Sequence, residues 1–150
     1  MREILFKAKR KNWKELPKEQ WWVKGYLWNG NDHSYIIPYN FGIGYDSDTN
    51  SLRATAYEID KDTICQYTGL TDKNGNKIWE NDIVCTPYVD PIFGDMVNDE
   101  IINDFRWKVV FYEGMFCVEN ENKRIYLRDF TNGKHIEVIG NIFDNQDLLQ

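Results

Sequence analysis

The tightest constraint on how this chain folds is a two-residue periodicity of bulky side chains, repeated in short runs between turn signals. From Trp21 to Trp28 the sequence sets Trp22, Lys24, Tyr26 and Trp28 on one side and Trp21, Val23, Gly25 and Leu27 on the other. Successive side chains of a strand point to opposite faces, so this alternation predicts extended structure rather than helix. Composition agrees. Six Trp, nine Tyr and eight Phe suit a pleated, half-buried surface, and Ala8, Ala54 and Ala56 are the only alanines, so long helices are poorly supported.

The same pattern predicts further strands over residues 2–10, 34–38, 52–59, 63–67, 83–86, 107–112, 115–119, 123–130 and 135–139. The punctuation between them is turn chemistry. Asn29-Gly30-Asn31-Asp32, Asp72-Lys73-Asn74-Gly75, Glu113-Gly114 and Asn132-Gly133 hold residues that accept a positive φ cheaply. The pair Glu113-Gly114 predicts a tight hairpin, with Trp107, Val109 and Phe111 sharing one face of its first strand. Residues 41–50, rich in Gly, Asp and Asn, are expected to form a loop. Residues 87–104, with two prolines, a glycine and five acids, read as a long loop or a one-turn helix near 99–103. The tail from Asp144 to Leu149 predicts a short helix with Asp144 near its N-cap. Many short strands at close spacing point to a small barrel or rolled sheet.

Charge is distributed unevenly. The net charge is −6, yet the first 24 residues hold eight Lys or Arg against three Glu, and the remainder ten against twenty-one acids. An acidic body argues against a broad phosphate-binding face, while the basic arm leaves room for a local one. The N-terminal apolar stretch is too short for a signal peptide and runs into charge, and no run of eighteen apolar residues occurs, which predicts a cytoplasmic protein without a membrane span. Cys65, Cys85 and Cys117 are odd in number and widely spaced. They read as small buried hydrophobes, not as a disulfide framework or a zinc site.

Candidate chemistry fails residue by residue, with one exception. Asp46-Ser47-Asp48-Thr49-Asn50 opens like a calcium loop, but the glycine and acid that such a loop needs at its sixth and twelfth places are Ser51 and Tyr57 here. His33 and His135 have no partner at a metal-ligand spacing. Gly42 and Gly44 lack the third glycine, the lysine and the helix of a phosphate loop. Glu58, Asp60, Asp62, Asp72, Glu80 and Asp82 read as an acidic solvated surface. The exception is the arm. Lys7, Lys9, Arg10, Lys11 and Lys14 adjoin Trp13, Trp21, Trp22 and Trp28, and cations interleaved with aromatics can grip single-stranded nucleic acid by phosphate contact and base stacking. The plainer expectation is that the tryptophans face a core while the lysines solubilise an edge strand.

The centre and end of the chain carry a resemblance. Tyr57-Glu58-Ile59-Asp60-Lys61-Asp62-Thr63 leads to Gln66-Tyr67-Thr68-Gly69-Leu70, then through Asp72-Lys73-Asn74-Gly75 to Ile78-Trp79-Glu80-Asn81-Asp82-Ile83-Val84. The end reads Ile136-Glu137-Val138-Ile139-Gly140-Asn141-Ile142-Phe143. With the Arg2-Glu3-Ile4 start, these blocks resemble the YopX family of phage and prophage proteins. One departure is Asn81, where the family usually has Gly. Asn tolerates a positive φ, so the turn should survive. Residues 87–106 match the family poorly. The resemblance implies an SH3-like barrel element and a phage or prophage origin, and it carries no catalytic residues to transfer.

The expected fold is mainly β: a small SH3-like barrel over residues 57–143, additional N-terminal strands over 1–56, and a short C-terminal helix, all in one YopX-like domain, with a separate N-terminal subdomain over 1–56 as the alternative. The expected function is that of a non-enzymatic accessory protein acting by contact with a protein partner or by self-association, with no catalytic residue, cofactor or metal. The alternative is a nucleic-acid-binding module using Lys7, Lys9, Arg10, Lys11 and Trp13.

Overall fold

The structure, a computed structural model, describes residues 3–39, 44–53, 55–86, 105–121, 123–131 and 136–150. The chain divides into two compact units, Met1–Tyr67 and Thr68–Gln150, and both are built from antiparallel strands.

The first unit contains β1 (Phe6–Lys9), β2 (Trp22–Asn29), β3 (Ser34–Pro38), β4 (Gly44–Asp46), β5 (Ser51–Arg53) and β6 (Tyr57–Glu58). Its main sheet runs β6-β3-β2-β1 and continues into the start of β7 (Cys65–Thr71), where Phe6 lies opposite Gln66 and Lys7 opposite Cys65. β4 and β5 form a separate hairpin. The pairing of β1 with β2 sets Ala8 opposite Val23 and Lys9 opposite Trp22, and that register assigns the faces. Ala8, Ile36 and Ile59 are buried on one side, with Phe6, Val23, Leu27 and Ile64 packed against them. Gly25 is required where β2 meets β3: a Cβ there would lie 2.0 Å from the Ile37 carbonyl oxygen.

The second unit holds β8 (Lys77–Trp79), paired with the end of β7, and a five-stranded sheet. That sheet comprises β9 (Asp82–Thr86), β10 (Phe105–Tyr112), β11 (Met115–Glu119), β12 (Arg124–Tyr126) and β13 (Glu137–Asn141), in the order β12-β11-β10-β9-β13. A five-residue helix α1 (Leu127–Thr131) follows β12. Its core includes a cluster of Ile78, Val84, Trp107, Val109, Val118, Leu127 and Ile136. The Trp107 Nε1–H donates to Thr86 Oγ1 at 2.8 Å, which gives the polar edge of a buried ring its partner.

The turns form as their residues require. Glu113 and Gly114 both have positive φ, 47° and 82°, joining β10 to β11 with Tyr112 opposite Met115. Asn81 takes φ 68° at the corner before β9, as its residue type permits. There Asp82 Oδ2 accepts from the Trp79 N–H at 2.8 Å.

Several expectations are corrected. The segment expected as a loop holds β4 and the turn to β5, while Gly42 lies outside the described residues. The strand expected over 52–59 is two short pieces, β5 and β6. The strand expected over 123–130 ends at Tyr126, because Leu127 turns inward as the first residue of α1 and is fully buried. The tail forms a short 3-10 helix, Gln146–Leu149, with Asn145 in place of Asp144 at its N-cap. The five-stranded sheet is open among the described residues, since no pairing joins β12 to β13. The hairpin at Asn132-Gly133, the turn of helix near 99–103 and His135 fall outside the described residues.

Candidate interaction surface

The arm enters the first unit as β1, and β1 is an interior strand between β2 and β7. This overturns the expectation of an edge strand solubilised by lysines. Lys7 and Lys9 are buried, at 8% and 2% exposure. They share the outer sheet face with Trp22, because the register sets Lys9 across from Trp22 and Lys7 across from Lys24. The tryptophan face of β2 therefore points away from the apolar cluster, contrary to the expectation that it fills a core. The smaller set Val23, Gly25 and Leu27 lies inward instead.

Lys9 is held in a cage of indoles. Its ammonium lies 3.9 Å from the Trp13 ring centre, 4.4 Å from Trp21 and 5.6 Å from Trp22. Trp13 and Trp21 meet edge to face at 4.8 Å. The negative faces of the rings attract the cation, and burial strengthens that attraction. The cage is fastened from outside. Trp21 Nε1–H donates to the Leu16 carbonyl at 2.9 Å and Trp13 Nε1–H to Asp60 Oδ2 at 3.4 Å. The Lys9 N–H donates to Thr63 Oγ1 at 2.8 Å, and the Asp60 N–H donates to the Lys9 carbonyl at 2.9 Å. Lys7 lies over Trp22 at 5.1 Å.

Arg10 and Lys11 reach β6. The Arg10 guanidinium stacks on the Tyr57 ring at 4.6 Å. Lys11 Nζ donates to Glu58 Oε1 at 2.9 Å, and His33 Nδ1 meets the same oxygen at 2.6 Å. The bonds from His33 and Lys11 hold the Glu58 carboxyl below the usual range. Of the five residues singled out in the arm, Lys9 and Trp13 are thus in mutual contact, Lys7 is bound to Trp22, and Arg10 and Lys11 occupy neighbouring sites at β6.

Sequence reasoning missed the partners of the arm. Tyr57, Asp60 and Thr63 lie about fifty residues downstream, and the β-bridge between Arg10 and Ile59, with the backbone bonds from Asp60 to Lys9 and from Lys11 to Glu58, brings them close. Farther along the outer face, Tyr26 and Trp28 are 56% and 58% exposed. Trp28 pairs with Tyr35 opposite it, ring centres 5.7 Å apart. The second unit exposes Phe111, Tyr112 and Tyr126, with Arg124 stacked on Tyr112 at 3.7 Å and bonded twice to Glu119 Oε2.

Two carboxylates read as surface groups are buried, which corrects that expectation. Asp72 accepts from the N–H groups of Asn74 and Asn76, each at 2.9 Å, and of Val138 at 3.1 Å. Burial pushes its carboxyl up, but these bonds outweigh burial and hold it below the ordinary range. Asp82 is buried on the Trp79 N–H. Asp46 and Asn50 belong to the β4–β5 hairpin. Cys65 and Cys117 are buried and Cys85 half-buried; burial raises the Cys117 thiol. Among the described residues no group of three His, Cys, Asp or Glu is placed to hold a metal ion. No helix among them is long and apolar enough to cross a membrane.

The family model described as "YopX protein" matches residues 24–150. The chain belongs to the YopX family. The match takes in every block quoted above except the Arg2-Glu3-Ile4 opening, so most of the lysine cage lies ahead of it. Among solved structures the chain resembles the crystal structure of protein EF1440 from Enterococcus faecalis, at 22% identity with a TM-score of 0.63, covering 100% of both chains. At that identity the likeness concerns the fold. No curated protein matches the chain.

Proposed function

We propose that this YopX-family chain is a non-enzymatic accessory protein of a phage or integrated prophage, acting in the bacterial cytoplasm through contact with a protein partner or a second copy of itself. The observation that carries the reading is the outer face of β2 and β3. Tyr26 and Trp28 are more than half exposed, and Trp28 packs against Tyr35 on the neighbouring strand. Clustered exposed aromatics mark association surfaces, because each ring removes a large apolar area from water on binding. The engagement of Asp72 and Asp82 with backbone N–H groups gives those two carboxylates a structural role. The finer reading of residues 57–143 as SH3-like is supported by the short antiparallel strands of the second unit.

The test is a comparative capture from infected host lysate, with light scattering for self-association. Wild type should capture a partner, or form a dimer, that the Tyr26→Ser/Trp28→Ser variant does not. Identical capture and identical mass for the two proteins would overturn the proposal.

A nucleic-acid role for the arm is the second reading, favoured by the exposed cations Lys14 and Lys18 beside Trp13 and Trp21. Burial of Lys7 and Lys9 and the net charge of −6 weigh against it. Single-stranded DNA titrated at low and high salt decides: quenching of tryptophan emission at low salt, lost at high salt, would establish it.

A further inference from the structure

A groove of about 480 Å³ opens in the first unit, lined in part by Arg10, Gln20, Trp22, Lys24, Tyr39 and Tyr57. That volume lies within the range of small-ligand clefts. Among the described residues that line it, two are cations and none is an acid. Its polar centre is Arg10. The guanidinium carbon lies over the Tyr57 ring, 4.6 Å from its centre, and a guanidinium presents its N–H groups in a fork that matches a carboxylate. The adjacent acid, Glu58, is engaged by Lys11 and His33. Trp22 and Tyr39 add apolar walls, and Tyr39 is substantially exposed.

We infer that this groove binds an acidic segment of a partner protein, one Asp or Glu seated on Arg10 with an apolar or aromatic neighbour against Trp22 and Tyr39. The inference rests on the protein-contact reading above and names the partner's chemistry. Charge complementarity selects the occupant. A carboxylate needs one fork, and Arg10 supplies it. An extended polyanion needs a row of cations, yet Lys7 and Lys9 are withdrawn into ring contacts. The chain as a whole is anionic and repels a long polyanion.

The experiment is a selection of random peptides on the full chain, with the winners synthesised and titrated by tryptophan fluorescence. Peptides carrying Asp or Glu beside an apolar or aromatic residue should be enriched. Arg10→Gln should weaken their binding at least tenfold, and exposed Lys24→Glu should weaken it severalfold, with thermal midpoints checked to show that both variants fold. Raising salt from 50 to 500 mM should change affinity only a few-fold. Three results overturn the inference: no enrichment, enrichment of peptides without an acid, or a twenty-residue thymidine oligonucleotide that binds more tightly than any peptide and loses binding in Arg10→Gln. Peptides that bind Arg10→Gln normally but fail on Tyr26→Ser/Trp28→Ser would sink the groove while leaving the contact reading intact.

Discussion

Trp28 in the first unit and Trp107 in the second sit on strands of eight residues each, yet Trp28 is more than half exposed and Trp107 is buried. Both strands alternate by period two. What differs is the partner. Trp107 lies opposite Val84 and finds Thr86 for its N–H. Trp28 lies opposite Tyr35, with the small and aliphatic face of its own strand turned inward. Among the described residues, the second unit gathers seven buried side chains around Trp107. The first gathers three around Ile36 and adds a lysine cage on the opposite face. Periodicity identifies two faces of a strand, and pairing decides which of them is inner.

The largest expected effect tests that contrast at its extreme. Trp107→Ala should cost about 3–5 kcal/mol by chemical denaturation, the usual range for removing a buried ring. A cost under about 1 kcal/mol would show that Trp107 is not a core residue.

Next comes Asp72→Asn. It sets an amide donor against the N–H groups that the carboxylate accepts, and should destabilise by about 2–3 kcal/mol. Acid should act in the same direction. The Asp72 carboxyl is depressed in the folded state, so its stabilisation is present above the unfolded pKa of about 3.9 and is lost as pH falls through the lower folded value. Wild type should lose stability over that acid window more steeply than Asp72→Asn. Equal slopes would contradict the role given to Asp72.

Lys9→Met tests the other unit. The aliphatic stem is kept and the cation lost, at an expected cost of about 1–2 kcal/mol, with a change in tryptophan emission. Equal or greater stability than wild type would mean the cage holds a stem and not a charge.

Trp28→Ala should be the smallest, within about 0.5 kcal/mol, as for other exposed positions. A cost above about 2 kcal/mol would place Trp28 in a core and erase the contrast.

Much of the strand framework was legible in the residues, because the period-two runs and the glycine- and asparagine-bearing turns are local signals. Gly114 and Asn81 adopt the positive φ that their residue types allow, while the two-residue hairpin imposes it on Glu113. Leu127 was not legible as a helix start. Its inward turn depends on the core beneath it, and the preceding residues alternate like a strand. The arm was half legible. Lysines and tryptophans were visibly neighbours, but the ring contacts that bury Lys9 depend on strand register and on Asp60 and Thr63, far along the chain. The Arg10–Tyr57 stack escaped for the same reason. Asp72 was legible as a turn residue, but neither it nor Asp82, the first residue of β9, carries a local mark that it is buried on backbone N–H groups.

The central claim is that the basic, tryptophan-rich arm is folded into the first unit, with Lys9 locked among indole rings while other lysines of the arm face solvent. Acetylation of the native chain with a water-soluble reagent, followed residue by residue in a mass spectrometer, tests it directly. Lys14 and Lys18 should react fast, Lys9 should be protected at least tenfold, and denaturant should abolish the difference. Reaction of Lys9 at the rate of Lys14 in the native chain would contradict the cage.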